Sequence, residues 1–120
     1  MTTDTEISAE SARPEAHDSF SVTIEFTGGL EMLFSNERKH SVTIPARLSD
    51  GGRPSISFLL KYLVENVMKD ERRELFILED NVRPGILVLI NDADWELEGE
   101  EKYELQPGDN IVFVSTLHGG

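Results

Sequence analysis

Asn110-Ile111-Val112-Phe113-Val114-Ser115-Thr116 is the stretch that decides the fold. Its four consecutive apolar residues give no wet face. Both sides of the segment must therefore meet something, and it reads as a central strand. Pro107-Gly108-Asp109 before it reads as a turn. After it the chain runs straight into Leu117-His118-Gly119-Gly120. A carboxyl-terminal diglycine is a candidate reactive group. Glycine has no Cβ, so it threads a narrow channel and takes backbone angles closed to other residues. The plain alternative is a frayed end of no consequence, and the rest of the chain has to decide between the two.

Working back from that strand, Ile86 to Ile90 is a second continuous apolar run, placed after the Pro84-Gly85 turn, and also reads as a central strand. Between the two, Ala93, Trp95 and Leu97 alternate with acids, predicting a hairpin turn at Asn91-Asp92 and a short half-buried strand. Leu75 to Leu78 is a short apolar stretch. Upstream the period changes. Ile56, Leu59, Leu60, Leu63, Val64, Val67 and Met68 recur at three- and four-residue spacing, one apolar stripe on a helix. Ser55 is the expected N-cap, with Ser57 the alternative, and the helix is expected to end near Asp70. The stripe is better read as core than as a ligand box, because a lone helix must bury that face on the sheet.

Nearest the amino end, Phe20, Val22, Ile24 and Phe26 alternate with Ser19, Ser21, Thr23 and Glu25, a period-two strand with one buried face. The Gly28-Gly29 pair predicts a hairpin, with Leu30 to Phe34 as its second strand. Asn36 to His40 reads as loop. Val42 and Ile44 add a short strand that Pro45 stops. Two hairpin strands, one crossing helix and a last central strand describe an α+β fold, a mixed sheet clasping one main helix: a ubiquitin-like β-grasp, with the last strand expected beside the first.

Composition agrees with one modest domain. The chain has 120 residues and 38% hydrophobic content, low enough to suggest that part of it is not packed. Residues 1–18 set Ile7 among Ser, Thr and acids, too little apolar surface to offset ordering entropy. They read as a disordered acidic extension, residues 19–116 as the domain and residues 117–120 as a flexible tail. The extension carries five acids against Arg13, a net of -4, leaving -8 of the chain's -12 to the remainder. That excess disfavours direct contact with nucleic acid or an anionic membrane and favours a partner with a basic docking surface. Arg38-Lys39-His40 and Arg72-Arg73 are too short to reverse it. The chain has no cysteine, which removes disulfides, thiolate metal sites and Cys nucleophiles. No leader or membrane-length apolar run is visible. A cytoplasmic protein is expected, with the nucleus also open to it, and a monomer.

No catalytic or metal site is expected. His118 stands beside the terminus, but a flexible tail cannot preorganise a general base, so a recognition or spacing role is preferred. His17 and His40 lie far apart in sequence. The acids Asp92, Asp94, Glu96 and Glu98 resemble a calcium loop until the positions are counted. Leu97 and Tyr103 stand where that loop needs Gly and Glu. With Glu100, Glu101 and Glu104 they make an acidic surface that aids solubility and could steer docking. Lys39, Lys61, Lys69 and Lys102 read as solvated charge. One face of Ile111 to Val114 meets the helix; the other is either a partly open apolar docking patch or is covered by the loops around Val42 and Ile44.

Three segments carry a family resemblance: Phe113-Val114-Ser115-Thr116-Leu117-His118-Gly119-Gly120, Phe26-Thr27-Gly28-Gly29-Leu30-Glu31-Met32-Leu33-Phe34, and Ile90 to Leu97 with Leu105-Gln106-Pro107-Gly108-Asp109. Together they resemble the ubiquitin-related modifier family, over roughly Phe20 to Gly120. The acidic extension is a departure, since the family's core does not require it. The resemblance implies that Gly120 is adenylated by an activating enzyme using ATP and magnesium, with no cofactor bound to this chain. A rhodanese-type domain of that enzyme would then supply sulfur, giving a thiocarboxylate for 2-thiolation of the wobble uridine in cytosolic tRNA by a thiolation complex. The same terminus would be joined to lysines of target proteins. Leu117, His118 and Gly119 would be read by the activating enzyme, and Gly120 would form the covalent bond. The alternatives are the small sulfur-carrying subunit of molybdopterin synthase, against which the Ser-Thr-Leu-His-Gly-Gly ending argues, and a non-covalent ubiquitin-like interaction module. A free-standing enzyme lacks a nucleophile, metal cluster or phosphate loop.

Overall fold

The alternation at the amino end becomes strand β1, Ser19–Thr27, in the computed structural model, which describes residues 18–115. Val22, Ile24 and Phe26 are buried, as the period-two pattern requires. The strand's antiparallel partner differs from expectation. It is β2, Lys39–Pro45, in the register Val22 with Val42 and Phe20 with Ile44. Lys39 and His40, expected in a loop, belong to this strand. Leu30–Phe34, expected as the second strand, is a 3-10 helix. Its buried residues are Leu30, Leu33 and Phe34, a three-and-four spacing that a turn of helix satisfies and a strand does not. Ser35 and Asn36 then take left-handed angles, and the Asn36 amide donates to Glu31 O at 2.9 Å, reversing the chain towards β2.

Helix α1, Ile56–Tyr62, begins where the sequence places it. Ser55 is the N-cap, its hydroxyl accepting from Phe58 N at 3.3 Å. The helix widens into a π turn over Leu63–Val67 and stops short of Asp70. Met68 is already extended, its amide bonded to Leu63 O, and Lys69 N donates to Leu33 O at 3.0 Å. The exit is thus drawn onto the 3-10 turn, which ends the helix three residues early. After a short 3-10 turn at Arg73–Leu75, the expected apolar stretch yields only a two-residue hairpin, β3 (Ile77–Leu78) with β4 (Asn81–Val82).

Strands β5 (Ile86–Ile90), β6 (Ala93–Asp94) and β7 (Asn110–Ser115) complete the sheet, whose order is β2-β1-β7-β5-β6. β7 runs parallel to β1 and antiparallel to β5, so it is central and the sheet is mixed. The strand expected over Ala93, Trp95 and Leu97 lasts two residues. The Asp94 side chain accepts from Glu96 N at 2.9 Å and caps a 3-10 turn at Trp95–Leu97, leaving Leu97 79% exposed. Asp and its own downstream amide outcompete the ladder here.

The core lies on one face of the sheet. Ile56, Leu59, Leu60 and Leu63 of the helical segment join Val22, Ile24, Phe26, Val88, Ile90, Ile111 and Phe113 in it. At one end four rings interlock. Phe26 stacks on Phe34 at 3.7 Å between centroids and on Phe113 at 5.6 Å, while Phe76 meets Phe113 edge-on at 5.2 Å.

Candidate functional site

The expected reactive and recognition residues, Leu117, His118, Gly119 and Gly120, lie outside the described residues, as does the acidic extension up to His17. What the structure fixes is the platform from which the terminus departs.

That platform is built around β7. Its start is held by a buried carboxyl group. Asp109 is 5% exposed and accepts hydrogen bonds from Asn91 Nδ2 at 2.9 Å, Tyr103 OH at 2.7 Å and Gln106 N at 2.8 Å. Asn91 in turn accepts from Asn110 N at 2.9 Å through its side chain, and its own amide donates to Asn110 O. Asp109 O takes the Thr23 amide at 2.9 Å. The strand is thereby tied at its first residue to β1 on one side and to the β5–β6 turn on the other. Burial of the Tyr103 ring pushes its phenol well above the ordinary tyrosine range, and the hydrogen bond and charge of Asp109 push the same way. Sequence reasoning read Asp109 as a turn residue only. The available signal was an Asp directly before a strand with an Asn-Asp turn and a Tyr upstream.

The two faces of β7 differ. Ile111 and Phe113 are in the core, whereas Val112 and Val114 point to the other face and are half-buried. Beside them, Leu87 opposes Val114 and Leu89 opposes Val112. Leu87 is exposed and Leu89 half-buried. These four aliphatic residues form an apolar strip on the sheet face away from the helix, bordered by Glu25 and Thr27 across from Val112 and Val114. Val42 and Ile44 do not cover it. Both are buried on the helix side, opposite Val22 and Phe20. Of the two readings the sequence left for the far face of β7, the structure bears out the partly open one, which a run with no polar residue could not decide.

Asp92, Asp94, Glu96, Glu98, Glu100, Glu101 and Glu104 follow β5 in sequence. Asp94 lies on the two-residue β6, half-buried and opposite Leu89 at the strip's end, whereas Asp92, Glu96, Glu98 and Glu100 are exposed on turns and Glu104 pairs with Ser55 at the start of α1. A separate shallow groove of about 490 Å³ lies between α1 and the β3–β4 hairpin, lined among others by Lys61, Glu65, Arg73 and Asp80. Its charges are mixed. His40 lies on β2, its Nε2 2.8 Å from Glu37 O and its ring edge-on to Phe26, in a structural setting.

Among the described residues, β7 is the central strand of a mixed sheet clasping one helix, with an apolar strip on the sheet's other face. The comparisons agree. The family model Urm1 (Ubiquitin related modifier) matches residues 21–120. The chain belongs to the ubiquitin-related modifier family. It is 91% identical over 120 residues to Ubiquitin-related modifier 1 of Aspergillus oryzae, with 100% of both chains covered. It is 68% identical to Ubiquitin-related modifier 1 of Coccidioides immitis, covering 82% of this chain and 86% of that one. The solution structure of Urm1 from Trypanosoma brucei superposes with a TM-score of 0.67 at 36% identity, over 86% of this chain and 98% of the other. The β-grasp fold, the sulfur-carrier and ubiquitin-like modifier class, and the standing of the chain as a carrier and not an enzyme follow from membership of this family. A family member of this kind acts with an activating enzyme and with target proteins.

Proposed function

We propose that Gly120 is the residue at which this carrier is charged, and that its sulfur goes to tRNA. A carboxylate is a poor acyl donor. The activating enzyme, using ATP and magnesium, converts the Gly120 carboxylate to an acyl-adenylate with loss of pyrophosphate. The terminal sulfur of a persulfide on a rhodanese-type domain attacks the acyl carbon and displaces AMP, and a second thiol then reduces the acyl disulfide so formed, releasing the thiocarboxylate and leaving a disulfide on the donor. That sulfur serves 2-thiolation of the wobble uridine in cytosolic tRNA, and the same activated carbonyl is passed to lysine amines of target proteins. Leu117, His118 and Gly119 lead Gly120 into the enzyme's channel, where residues without bulk fit best. The apolar strip of Leu87, Leu89, Val112 and Val114 is the surface by which the enzyme holds the domain.

The observation that carries this reading is the family match, which runs unbroken to Gly120. The test is intact mass. The protein is incubated with its activating enzyme, ATP, magnesium and a sulfur donor. An oxygen-for-sulfur exchange is expected, lost on deletion of Gly120. An unchanged mass with an enzyme active on another modifier overturns it. Loss of tRNA 2-thiolation in cells carrying only the Gly120 deletion tests the destination of the sulfur.

A further inference from the structure

Gly28 and Gly29 follow β1 directly, with φ of +72° and +102°. Both angles lie in the left-handed region that favours glycine. Their surroundings are not alike. A Cβ on Gly29 would meet nothing within 4 Å. A Cβ on Gly28 would overlap the carbonyl oxygen of Ser115 and lie 3.1 Å from its nitrogen and 3.3 Å from its carbonyl carbon. All three are backbone atoms. On its far side Ser115 is paired with Ile86 of β5. The end of β7 is therefore held between the β1 turn and β5, and it has no flexible tip to swing aside.

We propose that Gly28 is a positioning residue for the reaction at the carboxyl terminus. Its missing Cβ lets the β1 turn seat the backbone of Ser115, five positions before Gly120, and so sets where the terminus leaves the sheet. The proposal rests on the carrier reading above. Five residues reach at most about 17 Å even when fully extended. A domain docked by its apolar strip offers its carboxylate only within that short radius. Once the enzyme's channel holds the tail and the strip holds the domain, a shift at the base of the segment has to be taken up at the reacting carboxylate, where about 1 Å can cost on the order of a hundredfold in rate.

The modifier is the activating enzyme's substrate, and this separates positioning from stability. A destabilised substrate is present at lower folded concentration, which raises KM and leaves kcat intact. A misplaced carboxylate lowers kcat. ATP–pyrophosphate exchange by the activating enzyme is measured with wild type, Gly28→Ala, Gly29→Ala and a variant with one Gly inserted between Ser115 and Thr116. Gly28→Ala is expected to lose kcat about tenfold with KM within about twofold, while Gly29→Ala keeps wild-type kcat. The insertion leaves the Gly28 contact intact and is also expected to lower kcat, by about tenfold. Wild-type kcat in Gly28→Ala, or an equal loss in both alanine variants, overturns the proposal. An unaffected insertion overturns it even where Gly28→Ala does not fold. Exchange absent with wild type removes the carrier reading and the proposal together; exchange present but indifferent to the variants removes the proposal alone.

Discussion

At the scale of the residue, Asp109 shows how one side chain orders a strand. The site around it offers three donors, from Asn91, Tyr103 and Gln106, and asks for an acceptor at both carboxyl oxygens. Asparagine keeps the shape but turns a donor on donors, and alanine leaves them all unpaired. Asp109→Asn and Asp109→Ala are each expected to lose about 3 kcal/mol of stability, read as a fall in the urea midpoint. A loss under about 0.5 kcal/mol would mean that water replaces the carboxyl group at no cost. Tyr103 adds a pH dependence. Its folded phenol holds its proton more tightly than the unfolded value of 10.0, so its contribution is complete below that pH and is lost as pH rises above it. Between about pH 8 and about pH 11 the wild type should therefore lose more stability than Tyr103→Phe. Parallel urea midpoints for the two proteins would show that the phenol is not linked to folding.

Among the elements, the 3-10 turn at Leu30–Phe34 matters beyond its length. It supplies Phe34, fully buried and stacked on Phe26, and the Leu33 carbonyl that receives the end of the helical segment. Phe34→Ala should cost about 4 kcal/mol, by lost transfer energy and by a cavity that the neighbouring rings cannot close. A thermal or urea measurement giving under about 1 kcal/mol would mean that Phe76 collapses into the space. The same element shows what could be read from the sequence and what could not. β1, β5, β7 and the start of α1 were legible because long periodic or continuous apolar runs outvote local competition. Leu30–Phe34 is only five residues long, a length at which strand and helix patterns nearly coincide. Leu30, Leu33 and Phe34 carried the helical spacing, but the glycine pair before them signalled a hairpin and masked it. The two-residue β6 was misread for a related reason: alternation with acids looks like a strand even where one of the acids, Asp94, is capping a turn. The end of α1 was set by a carbonyl on a distant segment, which no local pattern contains. The Gly28 contact was invisible and the open sheet face was one of two readings left undecided, because both depend on which strands become neighbours.

For the whole molecule, charge and apolar surface divide the work of recognition. On the proposed reading, burying the Leu87, Leu89, Val112 and Val114 strip supplies affinity, while a net charge of -12 acts at a distance. Of the acids after β5, Asp94 lies opposite Leu89 at the strip's end, and on the proposed reading the acidic segment leads the approach to a basic partner surface. Reversing Glu98 and Glu101 to lysine adds two charges each and takes the net from -12 to -8. Fields of this kind are screened beyond about 10 Å at 0.1 M salt. The double variant should therefore associate with the activating enzyme about threefold to tenfold more slowly at low salt, and at the wild-type rate near 0.5 M. Dissociation should not change, because charges outside the buried contact act mainly on association. Stopped-flow association across a salt series measures this. A defect of equal size at every salt concentration would place Glu98 or Glu101 inside the interface. No defect at low salt would remove the acidic edge from recognition and leave the apolar strip to act alone.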